Sequence, residues 1–186
     1  VNNVSTAELV SPVIAGTSFD DDDKTLAVNT VYYYWVTSAA DAAGSRESPR
    51  STIYYTAGWK SAVAPTGVTA SDGDFNDRVR IYWNSVPGCS YYKLTRNTSD
   101  VPATAPVVMY WSTATSYEDM TVQPGTTYYY WVQAAAGSGG AYPTALSAAD
   151  TGWRQMGTTT VTASDGTYTD KVRISWQTVS GATNYQ

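Results

Sequence analysis

The sequence repeats itself. Val68-Thr69-Ala70-Ser71-Asp72-Gly73 returns as Val161-Thr162-Ala163-Ser164-Asp165-Gly166, 161 − 68 = 93 residues later, and Trp83 returns as Trp176 at the same shift. Tyr32-Tyr33-Tyr34-Trp35-Val36 returns as Tyr128-Tyr129-Tyr130-Trp131-Val132 after 96 residues, and Gly58-Trp59-Lys60 as Gly152-Trp153-Arg154 after 94. Unlike fragments at a near-constant spacing mean that one folding unit is used more than once, so a fold assigned to one copy must serve the others. A period of 93 to 96 residues is the size of one small β-sandwich.

The stretch between residues 63 and 156 holds every segment of the repeat once. Val79, Ile81 and Trp83 alternate with Arg78, Arg80 and Tyr82, the period of two that a half-buried strand requires. Strands are predicted at residues 67–71, 78–84, 91–96, 107–111, 116–120 and 127–134, and a returning edge at 142–148. Val86-Pro87-Gly88, Gln123-Pro124-Gly125-Thr126 and Gly137-Ser138-Gly139-Gly140 supply turns between them. Composition agrees: 16 Tyr and 7 Trp against 2 Phe suit pleated surfaces whose rings meet water at one end. Runs of Leu, Glu and Lys that would favour helices are missing. The expected class is all-β, a sandwich of short strands.

Trp83 late in the second strand, Tyr92 with Leu94 in the third, and the corner Pro124-Gly125-Thr126-Thr127-Tyr128 opening the sixth together resemble the fibronectin type III domain. The start of that pattern recurs as Val172, Ile174, Trp176, Gly181 and Tyr185, and its end as Tyr32, Tyr34 and Val36. The resemblance covers nearly the whole chain and implies tandem immunoglobulin-like β-sandwiches, one complete and two partial. Ala-Ser-Asp-Gly followed by Val-Arg-Ile-x-Trp is similar to tandem copies in large bacterial surface proteins, which implies an extracellular or cell-surface location. The family is a general spacer and adhesion module, so the resemblance speaks for fold far more than for role.

The expected domains are residues 1–62, the later strands of one repeat; 63–156, a complete repeat; and 157–186, the first strands of another. Asn184-Tyr185-Gln186 aligns with Tyr91-Tyr92-Lys93, and Val1 is the natural equivalent of Leu94. Joined tail to head, Tyr185-Gln186-Val1-Asn2 rebuilds the third strand, and 186 = 2 × 93. The expectation is two periods of a continuing array, because half a sandwich alone exposes unpaired edges and half a core.

Candidate sites follow. If Tyr128, Tyr130 and Val132 are core, Tyr129 and Trp131 face away, as do Tyr33 and Trp35 in the first copy. Such aromatic stripes can pack on a neighbouring subunit, stack on a glycan, or line an ordinary sheet face. Trp59 and Trp153 are expected at junctions between repeats, and Val1, Tyr185 and Gln186 where one repeat is finished by another. Asp72, Asp74 and Asn76 resemble the first half of a calcium loop, but no bidentate Glu follows, and a solvated turn is the plainer reading. Asp20-Asp21-Asp22-Asp23 reads as a native acidic loop, since Thr17-Ser18-Phe19-Asp20 aligns with Thr115-Ser116-Tyr117-Glu118. Asn3 and Asn97 open sequences that fit the glycosylation acceptor pattern. Cys89 is the single cysteine, matched by Ala182 in the next copy, and reads as a small structural residue.

The rest is exclusion. A net charge of −5 argues against nucleic acid and anionic membranes, and no apolar run is long enough to span a bilayer. With no His, no Cys pair and no glycine-rich phosphate loop, neither acid–base nor zinc chemistry has its usual residues, and an enzyme is not expected. No cofactor is expected apart from a possible calcium ion. The function expected is structural: a filament or surface stalk extended head to tail by continuation of the chain or by strand complementation, with copies of itself or neighbouring repeats as partners. The alternative is a spacer or carbohydrate-binding adhesion module of a larger secreted enzyme or adhesin.

Overall fold

The computed structural model describes residues 8–51 and 56–186. The chain divides into two units, Val1–Ala62 and Val63–Gln186. In the first unit, β1 (Val31–Tyr34) pairs antiparallel with β2 (Thr56–Trp59) in the register Tyr32↔Gly58 and Tyr34↔Thr56.

The second unit carries β3 (Thr69–Ala70), β4 (Val79–Tyr82), β5 (Tyr91–Asn97), β6 (Val107–Ser112), β7 (Ser116–Asp119), β8 (Tyr128–Ala135), β9 (Asp150–Gly152), β10 (Val161–Ala163) and β11 (Ile174–Trp176). One short 3-10 turn, Pro102–Thr104, follows β5. Two sheets form the complete repeat, β3-β4-β7 and β6-β5-β8-β9, with every pairing antiparallel. The fold class is all-β and the architecture is the fibronectin type III-like sandwich.

The core lies where alternation puts it. Val79, Ile81 and Trp83 are buried from one sheet, and Tyr92, Leu94, Tyr128, Tyr130 and Val132 from the other. Arg80 is half-buried and Tyr82 exposed on the opposite face of β4. Burying a large apolar side chain contributes about 1.5–3 kcal/mol each. Two tyrosines also fix turns. The Gln123 N–H donates to the Tyr128 hydroxyl at 3.1 Å and the Val86 N–H to the Tyr92 hydroxyl at 2.9 Å. Trp83 and Tyr92 meet with ring centroids 5.9 Å apart.

One predicted strand is not a strand. Residues 142–148 cross β8 without forming a ladder, and regular pairing resumes only at Asp150. The Thr144 N–H donates to the Ala134 carbonyl and the Ser147 N–H to the Val132 carbonyl. In return, the Thr144 and Ser147 hydroxyls accept from the N–H groups of Ala134 and Val132, at 3.1 and 3.0 Å. Two residues on β8 therefore oppose three on the returning segment, the count of a bulge, and hydroxyls stand in for ladder carbonyls. Pro143 supplies no donor there.

Candidate interaction surface

Residues 157–186 rebuild the first part of the repeat contact by contact. β10 pairs with β11 in the register Thr162↔Ser175 and Ala163↔Ile174, as β3 pairs with β4 in Thr69↔Tyr82 and Ala70↔Ile81. The Arg173 N–H donates to Ser164 Oγ at 2.9 Å, as Arg80 does to Ser71. The Val179 N–H donates to the Tyr185 hydroxyl at 2.7 Å, and Tyr185 meets Trp176 at 5.6 Å, repeating Val86, Tyr92 and Trp83. Lys171 and Arg173 lie over the Tyr168 ring as Arg78 and Arg80 lie over Phe75. What differs is cover. Val79 and Ile81 are fully buried and Trp83 is 4% exposed, whereas Val172, Ile174 and Trp176 are 65%, 50% and 47% exposed. The same apolar face is sealed in one copy and open in the other.

The first unit rebuilds the last part. The Ala27 N–H donates to the Tyr32 hydroxyl at 2.9 Å, matching Gln123 and Tyr128. The Tyr34 hydroxyl donates to Asp21 at 2.9 Å, matching Tyr130 and Asp119 at 3.2 Å. The Ser51 and Ser48 hydroxyls accept from the N–H groups of Val36 and Ser38, the bulged pattern of Ser147 and Thr144. Asn29 takes the left-handed backbone (φ 58°) that Gly125 takes in the complete copy (φ 68°), and each N–H reaches the carbonyl two residues past the Gly of its repeat's last strand. Again the face is open: Val36 is exposed where Val132 is fully buried. A groove of about 680 Å³ runs along β1, lined in part by Tyr32, Tyr34, Asp21 and Leu26.

Three contacts close the complete sandwich, and the first two have open counterparts. A Cβ added to Gly152 would stand 2.7 Å from Ala70 Cβ and 2.8 Å from Val79 Cγ1, so β9 packs directly on the other sheet; one added to Gly58 would meet only the Tyr34 ring at 3.6 Å. The Trp153 ring lies on Gly73, where an added Cβ would be 2.4 Å from it, and nothing stands within 4 Å of the same position at Gly166. Glu118 on β7 accepts from Arg78 at 2.7 Å and from Arg80 Nε at 2.9 Å. The Arg80 guanidinium, followed by Arg78, holds the Glu118 carboxyl below its usual value against a partial burial that pushes the other way.

Under the sandwich edge sits Asp119, fully buried. It accepts from the Arg96 guanidinium, the Tyr130 hydroxyl at 3.2 Å, and the Thr121 N–H and hydroxyl at 3.0 and 2.6 Å. Burial, and then the Asp119 charge, push the Tyr130 phenol far above its ordinary value. Every polar group here has a partner, which makes it a brace for β5, β7 and β8.

The structure places the sequence-derived sites unevenly. Trp131 does not face solvent as the alternation implied: it is 3% exposed. Its ring is stacked on that of Tyr129, centroids 6.2 Å apart and planes 18° apart, and its strand pairs with β5 as Thr95↔Trp131. Tyr129, Tyr33 and Trp35 are half-buried. Trp59 is 51% and Trp153 36% exposed, while Tyr185 and Gln186 are exposed. Val1 and Asn3 lie outside the described residues. Asn97 uses its amide nitrogen on the Val101 carbonyl and the Thr104 hydroxyl, each at 3.1 Å.

Asp72, Asp74 and Asn76 sit in the turn between β3 and β4. Asp72 bridges to Trp153, and the Asn76 carbonyl takes a hydrogen bond from Arg154. Partial burial, then the charges of Asp150 and Asp74, hold the Asp72 carboxyl above its ordinary value. Among the described residues no group of three or more His, Cys, Asp or Glu could hold a metal ion. Among them, too, no helix is long and apolar enough to cross a membrane. Gly152, Gly73 and the Arg78–Glu118–Arg80 cluster carry contacts that sequence reasoning did not single out, although the recurrence of Gly-Trp at 58 and 152 and of Ala-Ser-Asp-Gly at 70 and 163 was the available signal for the glycines.

No protein-family pattern and no curated protein matches the chain. Among solved structures it is similar to a Fn3-like protein from Clostridium thermocellum, at 28% identity and TM-score 0.45, over 51% of this chain and 95% of that one. It is also similar to the FN1–FN3 domains of chicken CNTN1, at 18% identity and TM-score 0.42, over 72% of this chain and 46% of that one. The fn3 domain of human contactin 1 matches at 19% identity and TM-score 0.39, over 57% and 92%.

Proposed function

We infer that this chain is a structural segment of an extracellular filament or surface stalk, a series of β-sandwich repeats that spans distance and carries load. The observation that supports the reading is one sandwich pattern used again along the same chain, complete in β3 to β9 and repeated in part by β1 with β2 and by β10 with β11. Domains of this fold serve as spacers and adhesion modules, and chemistry on them must come from added sites. Here the buried polar groups brace strands, and the aromatic ring expected to offer a sugar platform, Trp131, is covered. Extension proceeds by continuation of the polypeptide or by strands lent between copies.

The test is immunogold electron microscopy of the native extracellular material, with a mass measurement on the intact component. The reading expects label at regular intervals along fibres or stalks. Label confined to the cell interior, or to a diffuse soluble protein, would sink it.

A further inference from the structure

We propose that β6 (Val107–Ser112) pairs antiparallel with β6 of a second copy of this chain, so that the four-stranded sheets of two complete repeats join edge to edge. Such pairing adds a lateral contact to the structural reading above, and every residue of the contact lies inside the complete repeat.

The edges of this sandwich are guarded unequally. An edge strand carries a row of backbone N–H and C=O groups that another strand can meet, and proteins blunt such edges with short strands, charge, proline or cover. β9 has three residues, and its outer side is stitched to β3. There the Ala70 N–H donates to the Asp150 carboxylate at 2.7 Å, the Trp153 N–H to the Ser71 carbonyl at 3.1 Å, and the Gly73 N–H to the Trp153 carbonyl at 2.8 Å. β7 has four residues and ends on Glu118 and Asp119. β6 has six, Val-Val-Met-Tyr-Trp-Ser, with no charge, proline or glycine among them. It is the outermost strand in the order β6-β5-β8-β9. An uncharged run of that length, rich in β-branched and aromatic residues, is what strand pairing between chains selects.

The side chains agree. Tyr110 is 75% exposed, the most open large apolar side chain of the complete repeat. Trp111 is held back over the sheet: the Lys93 ammonium lies 5.1 Å from its ring centroid, and a Cβ added to Gly140 would be 2.6 Å from the ring. Both contacts come from the sheet side of β6. The first repeat treats the same edge differently. Thr17-Ser18-Phe19 aligns with Thr115-Ser116-Tyr117, and that alignment carried back without a gap sets Pro12 at the position of Tyr110. A proline withdraws the N–H that a joining strand needs, so the pattern admits a guard that the complete copy omits.

The partner is a second copy because the strand complements itself. Two β6 strands related by a twofold axis set Tyr110 against Tyr110 and Met109 against Trp111, and no like charges meet across the pair.

One strand pair is smaller than a standard interface, so the test is sedimentation equilibrium on the purified chain from about 10 µM to about 1 mM, the range of weak contacts. The wild type should shift from monomer toward dimer mass as concentration rises, and amide exchange at residues 107–112 should slow with it. Tyr110→Lys and Tyr110→Glu each set a charge against its own copy. Each should weaken association by about tenfold or more, with an unchanged circular dichroism spectrum because the side chain is exposed. An equimolar mixture of the two variants should associate again, since lysine then faces glutamate. A monomer across the whole range, which leaves this edge to an extended peptide of another protein, overturns the proposal. So does association that both variants leave unchanged, or a mixture that stays monomeric. Copies that pair while no fibre carries the gold label keep the edge contact and sink the structural reading; labelled fibres from a chain that stays monomeric do the reverse.

Discussion

At the scale of single residues, the complete sandwich depends on two charged clusters that behave differently. Asp119 is fully buried and answers Arg96, whose guanidinium is itself largely covered. Replacing Asp119 by Ala leaves that guanidinium and the Tyr130 hydroxyl without their acceptor. Breaking a buried pair from one side costs about 3–5 kcal/mol. Urea unfolding of Asp119→Ala should show a loss of that size, with Tyr130→Phe costing about 1 kcal/mol because Arg96 and Thr121 still satisfy the carboxylate. The second cluster, Glu118 with Arg78 and Arg80, lies closer to solvent, and its signature is pH rather than magnitude. The folded carboxyl is held below the ordinary value of 4.5, so its contribution is complete above that value and is lost as pH falls through the lowered one. Thermal melts of the wild type and Glu118→Gln should therefore differ at pH 7 and converge in acid below 4.5. A difference that persists or grows in acid would mean the carboxylate is not what stabilises this edge.

At the scale of elements, what the sequence showed and what it hid have the same physical origin. Alternation exposes the inward face of a strand because every second side chain must be apolar, and Val79, Ile81, Trp83, Tyr128, Tyr130 and Val132 were all legible that way. Alternation says nothing about what lies over the outward face. Trp131 alternates with the core residues Tyr130 and Val132 yet is buried, its large ring stacked on that of Tyr129. The returning segment at 142–148 looked like a strand by composition, yet its rungs at Thr144 and Ser147 are three residues apart. Only the hydroxyls, which accept where a carbonyl would, mark it as bulged. Ser48 and Ser51 carry the same device in the first unit, so the spacing could have been read as a repeat in its own right. The glycine seats at Gly152 and Gly73 were illegible for another reason. Their recurrence marks the positions, but a residue that matters for what it lacks shows its meaning only when the Ala70, Val79 and Trp153 atoms against it are seen.

At the scale of the whole molecule, equal sequences with unequal cover should have unequal stability. β4 and β11 share their local hydrogen bonds and their aromatic pairing, so local propensity cannot distinguish them. β4 has a second sheet over it, and β11 exposes Ile174 and Trp176. An isolated two-stranded ribbon is marginal in water, and amide protection follows packed cover rather than ladder bonds alone. Hydrogen exchange on dilute protein should then show β10 and β11 exchanging orders of magnitude faster than β5 and β8, which open only with the complete sandwich. Protection of β10 and β11 already equal to that of β4 in the dilute chain would mean that this face is covered within one copy. The argument from unequal cover would then fail at its first step.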